Sequence, residues 1–507
     1  MLRVVKTETG LVQGLPAADP RITSFKGIPF AAPPVGPNRW RAPQPAASWK
    51  GTFQAYDFAP AALQAPTVID VNNIYTREWS VDPDQPMDED CLYLNVWTPA
   101  MKGDEKLPVY VWYFGGGLQV GHPAEMEFDG ERIARRGIVV VTVNYRLNAF
   151  GFLCHPEITA EAPEAPANFG HLDQQFGTQW VKRNIAAFGG DPDNITIGGQ
   201  SAGGGSVMSQ LTSPQNEGLF QQAIVESGII TKLYEGNRTP GNWLDLAGAE
   251  QMGVQFFDYL GVKTLEQARR IPAMELRDKV LAHGAFWGTV VDGKFCVGNP
   301  VERFLNNERW MVPVMMGHTS DEFYNSPMVD SIDALRDMAV RMFGENADTY
   351  LNLVGADHGS IDEIKQRGSV RGIEYSVRLA AKGSEMAGSK APIYYYNFDP
   401  EIPGWDNPGT FHSVDLWFFF ETLAKCWRPF VGKHYDLARQ MCNYWCHFIR
   451  TGDPNGPDST GEMLPTWEPY RTDAPYGMMF AEKSEFLREE PSDLMRFLVD
   501  QALRQRA

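Results

Sequence analysis

A chain of 507 residues, 43% hydrophobic and 21% charged, can bury a large core, and its composition is that of an ordinary globular protein. A formal charge of −18, with Lys and Arg scattered instead of gathered into a basic stripe, excludes nucleic acid as a partner. No run of about 20 apolar residues could span a bilayer, so no membrane partner is expected.

The first residues, "MLRVVKTETGLVQG", pass from Met1 straight into alternating strand-like residues and a Gly turn, without the apolar centre of a secretion signal. Six cysteines (Cys91, Cys154, Cys296, Cys426, Cys442 and Cys446) are too sparse for a disulfide framework. Reduced thiols and a cytoplasmic location are the expectation.

Strand-like segments then alternate with helix-like ones, a pattern that favours an α/β layer structure around a large, mostly parallel central sheet flanked by helices. The strands are "VYVWYF" (109–114), "GIVVVTVNYR" (137–146), "NITIGG" (194–199), "AIVES" (223–227), "VPVMMGH" (312–318) and "IYYYNF" (393–398). Their near-continuous apolar character suits strands covered on both faces. Between the second and third, Leu172, Phe176 and Trp180 recur every four residues and are joined by Val181, Ile185 and Phe188. This predicts an amphipathic helix stopped by Gly189 and Gly190. No linker or internal repeat divides the chain, so residues 1–507 read as one domain. Two helix-like, charge-rich stretches between strands, about 231–285 and 325–390, read as helical lid or cap insertions.

Ser201 lies directly after a strand in Gly199-x-Ser201-x-Gly203 and before the helix-compatible "AGGGSVMSQL". Glycines two before and two after a serine let the chain turn sharply from strand to helix and lift the hydroxyl above the sheet edge. A hydroxyl is a weak nucleophile at neutral pH, so it needs a base, a carboxylate to orient that base, and donors for an oxyanion. The glycines in "WYFGGGLQVG" (115–117) and the N–H of Ala202 at a helix start are the donor candidates. Five histidines follow Ser201 outside the "MCNYWCHFI" helix: His283, His318, His358, His412 and His434. His412, in a loop past the strand at 393–398, is placed to reach over the sheet. The carboxylate is Asp321 or Glu322, just past the strand at 312–318. Cys442, Cys446 and His447 stand at one-turn spacing, but their aromatic surroundings read as core, and no metal is expected.

The motifs "FKGIPFAAPPVGPNRWRAP", "EDCLYLNVWTP", "YFGGGLQVG", "NYRLNAFGFL", "LDQQFGTQWVKRNIAAFGGDPDNITIGGQSAGG", "VPVMMGHTSDEF", "FHSVDLWF" and "RTGDPN" occur in this order from about residue 5 to 470. In them the chain resembles the type-B carboxylesterases, the cholinesterase and para-nitrobenzyl esterase-like branch of the α/β-hydrolases. The resemblance implies an α/β-hydrolase fold and hydrolysis of small-molecule carboxylic esters without a cofactor. Position by position it implies Ser201 as nucleophile, Glu322 as acid and His412 as base, with Gly116, Gly117 and Ala202 as oxyanion donors. It also implies ion pairs Arg39 with Glu89 and Arg146 with Asp173, and a polar pair of Ser227 and Asp415 behind the histidine. Phe286 and Trp287 resemble the acyl-pocket loop of the family, and Phe418, after the histidine, and Gln200 are expected in the same pocket.

The chain also departs from the family. Ala62 stands where members often have the cysteine that pairs with the one in "EDCLYLN", so Cys91 is expected to be free. Gln200 stands where many members have Glu. Trp79 lies farther before "EDC" than the choline-site tryptophan does, so choline esters are not implied. Acyl-transfer machinery does not choose its leaving group, and amidases, lactonases and thioesterases are the neighbouring activities. The scaffold also occurs as a non-catalytic interaction protein, but such relatives lack the serine present here.

Overall fold

The computed structural model describes residues 1–68, 70–79, 85–235, 244–488 and 490–506. Part of the first expected insertion, 236–243, lies outside the described residues. Among those described, eleven strands form one sheet. In chain order they are β1 Leu15–Pro16, β2 Thr23–Pro29, β3 Tyr93–Thr98, β4 Leu107–Tyr113, β5 Val139–Val143, β6 Gly190–Gln200, β7 Gln222–Glu226, β8 Val314–Thr319, β9 Ile393–Phe398, β10 Tyr476–Phe480 and β11 Ser484–Arg488. Across the sheet they run β11-β10-β9-β8-β7-β6-β4-β5-β3-β2-β1. The pairs from β5 to β10 are parallel, and β1 to β3 and β11 complete the edges in antiparallel fashion. The parallel centre follows from the sequence: every residue of β5, β7, β8 and β9 is buried, as strands with helices on both faces require.

The longer helices are α1 Phe169–Asn184, α2 Ala202–Thr212, α3 Leu246–Leu260, α4 Ala273–His283, α5 Ile332–Phe343, α6 Gly372–Met386, α7 Gly432–Thr451 and α8 Asp493–Arg504. Helix α1 carries the expected apolar face and ends at Gly189 in the left-handed region (φ 85°) after a short 3-10 turn. It is, however, buried on more than that face. His171, Asp173, Gln174 and Thr178 are fully buried, because each has a hydrogen-bonding partner inside the fold. The stretches expected as insertions contain α3 and α4, and α5 and α6. Helix α6 packs on β8 and α8, so it belongs to the layer that covers the sheet.

The implied ion pairs form. Arg39 and Glu89 make a two-pronged pair, and Arg146 meets Asp173 at 2.6 and 2.7 Å, all four side chains being buried. Cys91 is a free, buried thiol, as are Cys442 and Cys446, and His447 bonds the Pro457 carbonyl at 2.9 Å. Among the described residues no group of His, Cys, Asp and Glu is arranged to hold a metal, and no helix is long and apolar enough to cross a membrane.

Candidate active site

Because β4, β6, β7, β8 and β9 are neighbours and parallel, the loops leaving them emerge at one edge of the sheet. Ser201 turns the chain from β6 into α2 with φ 56° and ψ −125°, a conformation that costs a non-glycine residue about 1–3 kcal/mol. The turn is held by Ser201 N–H bonding the Glu226 carbonyl at 2.9 Å. Gly203 must lack a side chain here, since a Cβ would lie 2.1 Å from the Tyr113 carbonyl oxygen. Strain recurs beside the other site residues: Ser227 (φ 44°), Phe323 (φ 43°) and Ser413 (φ 80°) follow Glu226, Glu322 and His412 directly. Such clustering at one place marks a site whose geometry the surrounding fold imposes.

His412 and Glu322 meet at this edge. His412 Nδ1 lies 2.5 Å from Glu322 Oε2, and the other carboxylate oxygen, Oε1, accepts from Ser227 Oγ at 2.8 Å and from the Thr319 N–H at 3.0 Å. Glu322 is 2% exposed, so these bonds replace the water its charge has lost. With Nδ1 engaged, His412 Nε2 is the atom left for chemistry, and Gln200 Nε2 lies 3.3 Å from it. The Phe323 ring stands edge-on to the imidazole at 4.5 Å.

Asp415, implied as a partner of Ser227, instead accepts from the Tyr396 hydroxyl at 3.2 Å, while Ser227 serves Glu322. Burial, reinforced by the charge of Glu322, pushes the Asp415 carboxyl up to about 7. Glu226, also buried and bonded by Trp445 Nε1 at 2.6 Å, is pushed up by burial and by Asp415.

The residues expected as oxyanion donors lie in the turn after β4 and at the start of α2. Gly116 adopts φ 108° in a turn whose carbonyl accepts from the N–H groups of Gln119 and Val120, and a Cβ there would sit 2.0 Å from the Val120 carbonyl oxygen. Ala202 is the first residue of α2, where an N–H has no partner within the helix.

A cavity of about 660 Å3 opens onto these groups, with Ser201, His412, Ala202 and Gly117 all in its wall. Most of the remaining wall is apolar, including Leu118, Met208, Val290, Val301 and Ile373. Phe286, 52% exposed, lines it, but the three other expected pocket residues, Trp287, Phe418 and Gln200, do not. Trp287 points away and is buried against Phe256 at 5.1 Å. Phe418 is core, edge-on to Phe398 at 4.9 Å and Phe430 at 5.5 Å, because the short helix after His412 turns that face toward the sheet. Gln200 is 2% exposed and reaches the site through His412, not through the cavity wall. Asp321, by sequence the alternative acid, instead anchors the His412 loop, and His171 and Thr289, which the sequence did not single out, stand in the cavity wall.

A family model described as "Carboxylesterase family" matches residues 2–352 and 369–494. The chain is 31% identical over 462 residues to a fumonisin B1 esterase of Sphingopyxis macrogoltabida, covering 89% of this chain and 82% of the relative. It is 30% identical over 507 residues to an acetylcholinesterase of Bungarus fasciatus, covering 91% and 80% respectively. Among solved structures, a PNB esterase superposes with a TM-score of 0.78 at 26% identity, over 98% of this chain and 99% of the other.

Proposed function

Since the chain belongs to the carboxylesterase family and is a carboxylic ester hydrolase, we propose that Ser201, His412 and Glu322 are its catalytic triad and that Gly116, Gly117 and Ala202 supply the oxyanion hole. His412 Nε2 takes the proton of Ser201 as Oγ attacks the ester carbonyl. The developing oxyanion is met by the three backbone N–H groups, and His412 then returns the proton to the leaving alcohol. Water, activated by the same imidazole, attacks the acyl-enzyme and frees the acid. Glu322 holds the ring in the tautomer that keeps Nε2 available and stabilises the imidazolium that forms. No step calls on a metal or cofactor.

The observation that carries this reading is the His412–Glu322 pair, whose imidazole shares a cavity wall with Ser201. The cavity's size and apolar wall suit uncharged esters with a medium-sized aliphatic or aromatic part. Six unpaired thiols, five of them buried, suit a reducing compartment such as the cytoplasm.

The test is hydrolysis of p-nitrophenyl esters by the wild type and by Ser201→Ala, with fluorophosphonate labelling of both. Turnover in the variant should fall on the order of 10⁵-fold or more, and labelling should vanish. Near-wild-type hydrolysis by Ser201→Ala would reject the mechanism.

A further inference from the structure

We propose that the cavity contains a hydrogen-bond-accepting notch at Thr289 that selects esters carrying a hydroxyl or N–H group on the part buried in the cavity. This rests on the esterase reading and adds a substrate class to it. A buried chain of hydrogen bonds fixes the proton positions at this notch.

Two backbone carbonyls, which can only accept, fix the chain at its ends. Ser206 Oγ lies 2.9 Å from the Ala202 carbonyl and so donates to it, leaving its lone pairs for Gln174 Nε2 at 2.9 Å. Gln210 Nε2 lies 2.9 Å from the His171 carbonyl, which makes that end of Gln210 the amide N–H₂. Its Oε1 accepts from Asn216 Nδ2 at 2.7 Å, which agrees. Gln174 Oε1 faces Gln210 Nε2 at 3.4 Å. Reversing the Gln174 amide would set N–H₂ against N–H₂ at that point and give Ser206 two claims on its one proton. The orientation of Gln174 is thus settled from both sides.

Gln174 Oε1 also lies 3.0 Å from His171 Nδ1, so Nδ1 carries the proton. His171 is fully buried, stacked on Phe295 at 5.7 Å and edge-on to Phe152 at 5.2 Å. Burial pushes its pKa down to about 4, which keeps the ring neutral. Nε2 is therefore a bare lone pair, and Thr289 Oγ1, 2.7 Å away, must donate to it. A hydroxyl has one proton and two lone pairs. With the proton committed to His171, Thr289 can only accept from a ligand in the cavity that both residues line. A donor buried there finds a partner, whereas a carbonyl or ether oxygen meets lone pair against lone pair.

The experiment uses p-nitrophenyl esters of medium-length acids in matched forms, with a hydroxyl, a methyl ether or a ketone at the same carbon, that carbon being moved along the chain. At one position the hydroxyl form should exceed both others in kcat/KM by about tenfold, the scale of one neutral hydrogen bond. The preference should persist in Thr289→Ser and fall to about one in Thr289→Val. The wild-type comparison stands without any variant, should Thr289→Val fold poorly. A ketone preferred to the hydroxyl, no preferred position at all, or a preference that survives Thr289→Val would overturn the notch. Loss of p-nitrophenyl ester hydrolysis and fluorophosphonate labelling in the wild type would instead reject the esterase reading itself.

Discussion

Asp321 and Glu322, adjacent in the chain, grip two ends of one loop. Glu322 bonds the imidazole of His412 at 2.5 Å, while Asp321 Oδ2 accepts from the Thr410 N–H at 2.9 Å and its hydroxyl at 3.2 Å. A one-residue bridge between Asp321 and Phe411 joins the same segments through the backbone. One acid therefore orients the ring and the other anchors the strand of chain that carries it.

This division separates two variants. Glu322→Gln should lower kcat on the order of 10⁴-fold with little change in KM, since the amide keeps the volume but removes the charge that selects the tautomer. Asp321→Ala loses three hydrogen bonds, two from the buried Thr410 and one from the Tyr324 hydroxyl at 3.4 Å, worth together about 1–3 kcal/mol. It should reduce kcat about tenfold or less while active-site titration with an organophosphate still shows every site reactive. Steady-state kinetics paired with that titration distinguishes the two outcomes.

The buried carboxyl of Asp415 makes stability depend on pH. Glu322, Glu226, Tyr396 and His412 surround it, and it holds its proton up to about 7 against an ordinary value of 3.8. Between those values the unfolded chain has released this proton and the folded chain has not. The contribution to stability is therefore complete below the lower value and lost as pH rises through the upper one. Asp415→Asn, which mimics the protonated acid at every pH, should gain melting temperature relative to wild type on going from about pH 4 to about pH 8. Paired thermal scans at the two pH values check the sign; a difference that stays flat, or shrinks with rising pH, contradicts it.

A buried ion cluster holds the approach to His412 from the other side. Arg428, whose side chain has no exposed surface, bonds Glu78 at 3.0 Å and Asp406 at 3.0 Å, and its guanidinium lies 5.1 Å from the Phe411 ring centre. Glu78 also accepts from the indoles of Trp417 and Trp427 at 3.2 and 3.1 Å. Arg428→Met should cost about 3–5 kcal/mol, because it strands the buried Glu78 carboxylate, while Asp406 keeps its pairing with Arg77. Urea unfolding measures the cost, and kcat should fall as well if this cluster steadies the loop before His412.

Much of this molecule was legible in local pattern. Continuous apolar runs are what a strand covered on both faces requires, so the parallel centre of the sheet could be read from 109–114, 137–146 and 393–398. The glycines around Ser201 declare a turn that only small residues permit, and the ordered motifs carried the family. Side-chain direction was not legible. Phe418 and Trp287 are aromatic residues beside the site in sequence, yet their elements turn them into the core, while Phe286 next door faces the cavity. Asp321 and Glu322 could not be told apart by spacing, because a single residue's step along the loop decides which carboxylate meets His412.

The sequence by itself determined the class of sheet, the turn at Ser201 and the family, since each depends on residues close together in the chain. Only the tertiary structure brought residues 201, 322 and 412 to one edge, backed Glu322 with Ser227, and set Thr289 against His171. Those relationships join segments as many as 211 residues apart, the separation of Ser201 and His412, and they exist because strands parallel in one sheet deliver their loops to the same end.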